Sequence, residues 1–155
     1  MLEENKSKEK NCLFFISDYH FEMISLPYIN KNIKEDKNII VVSENNLEGT
    51  MNKLIAQVNL EEKEKENILK IDWKNDELNK FKEIKQANEE KKDTIIFIKG
   101  KENYIQNVNK NIENWIGQEK VKIIDCYDIN EIKESVDEIA KNYDNILVTS
   151  GMKKL

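Results

Sequence analysis

Short apolar runs alternate along this chain with longer stretches in which apolar residues recur every three or four positions. Leu13-Phe14-Phe15-Ile16, Ile39-Ile40-Val41-Val42 and Ile95-Ile96-Phe97-Ile98 are apolar on both faces, the pattern of parallel strands covered by helices on each side. On this basis strands are expected at Cys12 to Ser17, Asn38 to Ser43, Ile68 to Asp72, Asp93 to Lys99, Val121 to Cys126 and Asn145 to Thr149. Helical spacing fills the intervals. Ser17 or Asp18 can cap a helix carrying Phe21, Ile24, Tyr28 and Ile33 inward, in which Pro27 either makes a kink or marks the first turn of a later start. Asn45 with Glu48 has capping-box spacing ahead of the stripe Leu47, Met51, Leu54, Ile55 and Val58. A narrower stripe of Leu78, Phe81, Ile84 and Ala87 marks a peripheral helix from Asp76 to Lys91. Tyr104, Val108, Ile112, Trp115 and Ile116 form the next, ended by Gly117. Asp128 with Glu131 repeats the capping spacing before Ile129, Ile132, Val136, Ile139, Ala140 and Tyr143.

Strands alternating with helices specify an α/β fold: a three-layer, doubly wound, mostly parallel sheet of about six strands with helices on both faces, since each crossover must return over the sheet. The pattern leaves strand order open. The 155 residues suit one core, expected as a single α/β domain over 11–155 behind a disordered charged tail, 1–10.

Composition narrows the function classes. Asp and Glu number 30 against 25 Lys and Arg, for a net charge of -5, and runs such as Lys6 to Lys10 and Glu61 to Glu66 mix both signs. That argues against a nucleic-acid surface. Neither an apolar N-terminus nor a membrane-length apolar stretch is present, so a cytoplasmic protein without direct nucleic-acid or membrane contact is expected. Cys12 opens the first strand and Cys126 closes the fifth, positions about 17 Å apart in a parallel sheet and beyond disulfide reach. Buried thiols are the expectation.

Parallel sheets place their sites at the carboxyl ends of the strands. The candidates gathered there are Ser17, Asp18, His20, Ser43, Glu44, Asp72, Lys99, Thr149 and Ser150. Each also has an ordinary structural role open to it, because helix caps require Ser, Asp and Asn. His20 is the sole histidine, beside Asp18, and suits an acid, a base or a ligand. Asp72 ends an apolar run as magnesium-binding carboxylates do. Phosphate-gripping machinery is missing: no glycine-rich loop follows any strand, and Lys99-Gly100-Lys101 offers a single glycine between two cations. A response-regulator receiver would use Asp72 as acceptor, but where a receiver has paired acids after the first strand this chain has Ser17-Asp18. It has Cys126-Tyr127 where a receiver has a lysine after the fifth.

The segment Asn11 to Trp73 resembles the start of the MEDS, or DcmR-like, sensory domain, a relative of the RecA/KaiC-like fold whose members commonly lack a P-loop. The strand Cys12-Leu13-Phe14-Phe15, the charged helix end, the strand Asn38 to Ser43 and the run Ile68 to Trp73 carry the likeness. Lys10 stands where that family often has a histidine, so no ligand role tied to it carries over. The resemblance implies a non-catalytic sensory or regulatory module with a protein partner or a small-molecule ligand, and it names no cofactor. The alternatives are a receiver-like or nucleotide- or flavin-binding protein using the hydroxyls of Ser17, Ser43, Thr149 and Ser150, or a small magnesium-dependent enzyme using Asp18, His20 and Asp72.

Overall fold

The computed structural model describes residues 9–115 and 121–155. Six strands form one sheet: β1 (Lys10–Phe15), β2 (Asn38–Ser43), β3 (Thr94–Gly100), β4 (Val121–Asp128), β5 (Asn145–Val148) and β6 (Gly151–Lys154). Their order is β2-β3-β4-β1-β5-β6. All neighbouring pairs are parallel except β5 with β6. Helices cover both faces, as an all-apolar central strand requires. One layer holds α1 (Asp18–Lys34), α2 (Glu48–Ile55) and α3 (Glu62–Leu69), whose Phe21, Ile29, Met51 and Ile68 pack with Leu13, Val41 and Phe97. The other holds α4 (Glu77–Glu89), α5 (Glu102–Ile112) and α6 (Val136–Ala140), whose Ile84, Val108 and Ile139 pack with Phe14, Ile40 and Ile96.

Several expectations change. Ile68 to Asp72 is not a strand: Ile68 and Leu69 finish α3, and the following residues carry the chain from the α1 layer past β2 to the α4 layer. Its alternation buries Ile68 and Trp73, and Trp73 Nε1 donates to Ile68 O at 2.9 Å, which satisfies this corner without a ladder. The sheet regains its sixth strand beyond Thr149. There Thr149-Ser150 form a two-residue turn between the paired residues Val148 and Gly151, and Gly151 has φ 119, a region that favours glycine. Pro27 lies inside one continuous α1, on its exposed side. Asn45 does not cap α2; Asn46 Oδ1 accepts from Glu48 N instead. After β4, Asp128 Oδ1 accepts from Asn130 N and Ser135 Oγ from Glu138 N, so two short pieces replace the one long helix expected.

The cysteines are also closer than expected. β1 starts at Lys10 and β4 continues to Asp128, which moves both thiols inward. Cys12 then lies opposite Asp125 and Leu13 opposite Cys126. Both thiols are free and buried, and the pleat sends them to opposite faces, Cys126 into the α1 layer and Cys12 into the other. The expected tail lies outside the described residues up to position 8, with Lys10 already in β1. The expected helix end at Ile116 and Gly117 also lies outside them. Among the described residues no helix is long and apolar enough to cross a membrane.

Candidate functional site

At the carboxyl ends of β1 and β4 the chain leaves in opposite directions, into α1 on one face and toward α6 on the other, which makes the crevice between them a topological switch point. A cleft of about 290 Å³ opens there, lined by Phe15 and Asp18, by Glu44 and Asn45 after β2, by Lys99, Gly100 and Lys101 of β3 and its exit, and by Asp128 and Glu131.

Lys99 is the hub of this cleft. Its position in β3 points it from a sheet of isoleucines toward Phe15 and Phe21, with Nζ 4.8 Å and 5.4 Å from their ring centroids, so the ammonium faces two aromatic surfaces. The side chain is buried, the Asp18 carboxylate compensates its charge through Oδ1 at 2.8 Å, and the amide oxygen of Asn45 accepts a hydrogen bond from it at 3.0 Å. Asn45 Nδ2 donates back to Asp18 Oδ2 at 3.2 Å, and Ser43 Oγ donates to Asn45 Oδ1 at 3.0 Å. A closed polar network results, with each member holding the next in place. One turn below Asp18, Glu22 is buried against α2, and burial raises its carboxyl above the usual value of 4.5, with Thr50 opposing the shift.

Glu44 completes the cleft differently. Its Oε1 accepts from Lys101 N at 3.0 Å, so a carboxylate of the chain itself occupies the amino end of α5, where the helix dipole favours negative charge. Gly100 makes room for it. A Cβ there would lie 2.7 Å from Glu44 Oε1 and 2.8 Å from Tyr104 Cδ2.

Asp18, Ser43, Glu44 and Lys99 therefore share one site, and Asn45 links three of them. Ser17 and His20 serve the start of α1: Ser17 Oγ accepts from His20 N at 3.1 Å, and His20 Nδ1 accepts from Ile16 N at 2.9 Å. Asp72 lines a separate cleft along β2 with Ile39, Asn67 and Glu83. It accepts from Lys74 N and Asn79 Nδ2 and pairs with Lys80, which is buried to 1% exposure and also donates to the Asp72 carbonyl. Thr149 and Ser150 form the turn between β5 and β6. Among the described residues no group of three or more His, Cys, Asp and Glu side chains has metal-holding geometry.

Asp125 is absent from the strand-end candidates. It lies inside β4 and is 6% exposed; Asn109 Nδ2 donates to its Oδ1 at 3.0 Å and the Tyr143 hydroxyl to its Oδ2 at 2.6 Å. Tyr143 also contacts the Tyr127 hydroxyl at 2.5 Å. Burial pushes the Asp125 carboxyl above its usual value of 3.8 against the pull of these donors, and pushes the neighbouring Cys12 thiol up to about 12. The sequence signal for this site is an acid between Ile123-Ile124 and Cys126, in the apolar middle of β4. Comparison with protein-family models, with curated proteins and with solved structures gives no match.

Proposed function

We propose that this chain is a non-catalytic sensory or regulatory interaction module of the cytosol, of the P-loop-less RecA/KaiC-like kind that the strand, helix and strand from Asn11 to Ser43 resemble; Ile68 to Trp73, a helix end and a buried corner instead of a strand, no longer adds to that likeness. One observation carries the proposal: the cationic and amide groups a phosphate needs at the strand ends already hold the chain's own oxygens. Lys99 is bound by Asp18 and Asn45, and the Lys101 amide by Glu44. To seat a nucleotide here, a phosphate must displace two carboxylates and bring its own charge beside them, which opposes binding. A central first strand whose exit to α1 is only Ile16 and Ser17 supports the same conclusion, since it leaves no loop to wrap a phosphate. Two buried free thiols are consistent with a reducing compartment.

The test is a melting-temperature panel with ATP and magnesium, flavin mononucleotide, and magnesium alone, run beside an assay for phosphate release from ATP. A ligand held at a hundredfold excess over its dissociation constant adds about 2.7 kcal/mol, which raises the melting temperature of a chain this size by roughly 5–10 °C. No shift and no phosphate release are expected. A shift of that size with ATP and magnesium overturns the proposal and favours the nucleotide-binding alternative.

A further inference from the structure

The sheet face opposite α1 carries a second opening, lined by different residues from the strand-end cleft. Because α6 has only five residues and starts after Ser135, part of β4 lies uncovered between α5 and α6. The resulting cavity is about 580 Å³, within the span of roughly 300–1,000 Å³ usual for small-molecule sites.

Its floor is Asp125. Across the register this carboxylate is flanked by Cys12 on β1 and Ile98 on β3, and an acid in so apolar a position opposes folding unless something compensates it. Its hydrogen-bond donors, Asn109 and Tyr143, are both neutral. Among the described residues each oxygen accepts one of these bonds, which leaves it a further lone pair. The rest of the lining extends the same bias: Glu9, Glu102, Glu113 and Glu134 outnumber Lys10 and Lys110. An anion is repelled there, and a neutral ligand adds nothing to the partial compensation that Lys10 gives the buried carboxyl. An ammonium supplies both further positive charge and donors for the remaining lone pairs.

We propose that this cavity binds a small organic amine, its ammonium on Asp125 and its carbon body against Ile105, Ile139 and the rings of Tyr127 and Tyr143. Those four side chains line the cavity together with Asp125, and the two rings pack edge to face beside the carboxylate, with centroids 6.1 Å apart at 75°. The upward shift of the Asp125 carboxyl agrees with an acid awaiting a counter-ion. This site shares no residue with the strand-end cleft, so either can fail without the other.

The experiment is a titration of the full chain with phenethylamine, followed by backbone amide chemical shifts, with phenethyl alcohol and phenylpropionate as shape-matched controls. Saturable shifts are expected around Asn109, Asp125 and Tyr143, with binding at least about tenfold weaker for either control, a difference of about 1.4 kcal/mol. Asp125→Asn keeps the shape of the side chain and is expected to lower amine affinity by a similar factor. The control ligands keep the test decisive on the unmodified protein if that variant folds poorly. Absence of saturable shifts up to about 10 mM amine, equal binding of the alcohol, or shifts confined to another region overturns the proposal.

Discussion

Removing either member of the Lys99–Asp18 pair has unequal consequences, because the pair is buried unequally. The two side chains meet at 2.8 Å with exposures of 4% for Lys99 and 36% for Asp18. At an effective dielectric of about 20, unit charges that close attract by roughly 6 kcal/mol, and desolvation of both groups offsets most of it. What a single substitution costs is therefore set by the group left behind. Asp18→Ala strands a buried ammonium between Asn45 Oδ1 and two aromatic faces. With the loss of a first-turn acid from α1, the expected cost is about 3 kcal/mol. Lys99→Met leaves a carboxylate that is open to water and still holds the Asn45 amide, while the methionine refills the space between Phe15 and Phe21, so the expected cost is about 1 kcal/mol or less. The double variant removes the stranded charge and is expected within about 1 kcal/mol of Lys99→Met. Urea titration followed by circular dichroism reads all three, provided the m values agree. If Lys99→Met proves the more damaging single change, or the double variant is no more stable than Asp18→Ala, desolvation of Lys99 does not govern this site.

Gly100→Ala places a Cβ 3.0 Å from Glu44 Cβ as well as against Tyr104; since that ring cannot swing aside freely, a loss of about 1–2 kcal/mol is expected in a thermal melt. Tyr143→Phe leaves Asp125 with Asn109 as its donor among the described residues, and a drop of about 1–3 kcal/mol in urea stability is expected; unchanged stability contradicts it. Glu22 gives a pH dependence of definite sign. Its carboxyl is raised in the folded state above 4.5, so between that value and the raised one the native chain binds more protons than the unfolded chain, and stability falls as pH rises through the interval. Glu22→Gln is expected to flatten that part of the stability curve and to leave the protein at least as stable at neutral pH. An unchanged slope in urea titrations across the same interval contradicts it.

Five of the six strands can be read along the chain, β1, β2 and β3 because their runs are apolar on both faces and β4 and β5 as shorter apolar runs between helical stretches; in a chain of this size few structures besides a covered parallel strand produce the first pattern. Ile68 to Asp72 shows the limit of such reading. A short apolar alternation is equally consistent with a helix end followed by a buried corner, and the difference is made by Trp73, whose indole donates to Ile68 O five residues back. The hairpin beyond Thr149 gives little signal because Gly151–Lys154 holds a single apolar residue, Met152, although Ser150-Gly151 is itself a turn-forming pair. Among the site residues, strand ends group Asp18, Ser43, Glu44 and Lys99 with Ser17, His20, Asp72, Thr149 and Ser150, and only the strand order and the side-chain contacts separate the first four from the rest. Asn45, which joins them, has the spacing of a helix cap, and Asp125 is hidden because one polar residue inside an apolar strand carries no periodic signal. Partner identity depends on tertiary register, and one-dimensional spacing does not encode it.

The single antiparallel strand has a consequence for how copies of this protein meet. β6 closes the sheet on the β5 side with four residues, and among the described residues its outer backbone groups have no neighbouring strand. An open rim of that kind invites another chain to continue the pairing, yet Lys153 and Lys154 stand exposed on it. Two such rims carry like charge into contact, so self-templated stacking is discouraged in dilute buffer and eased as salt shortens the screening length toward about 3 Å near 1 M.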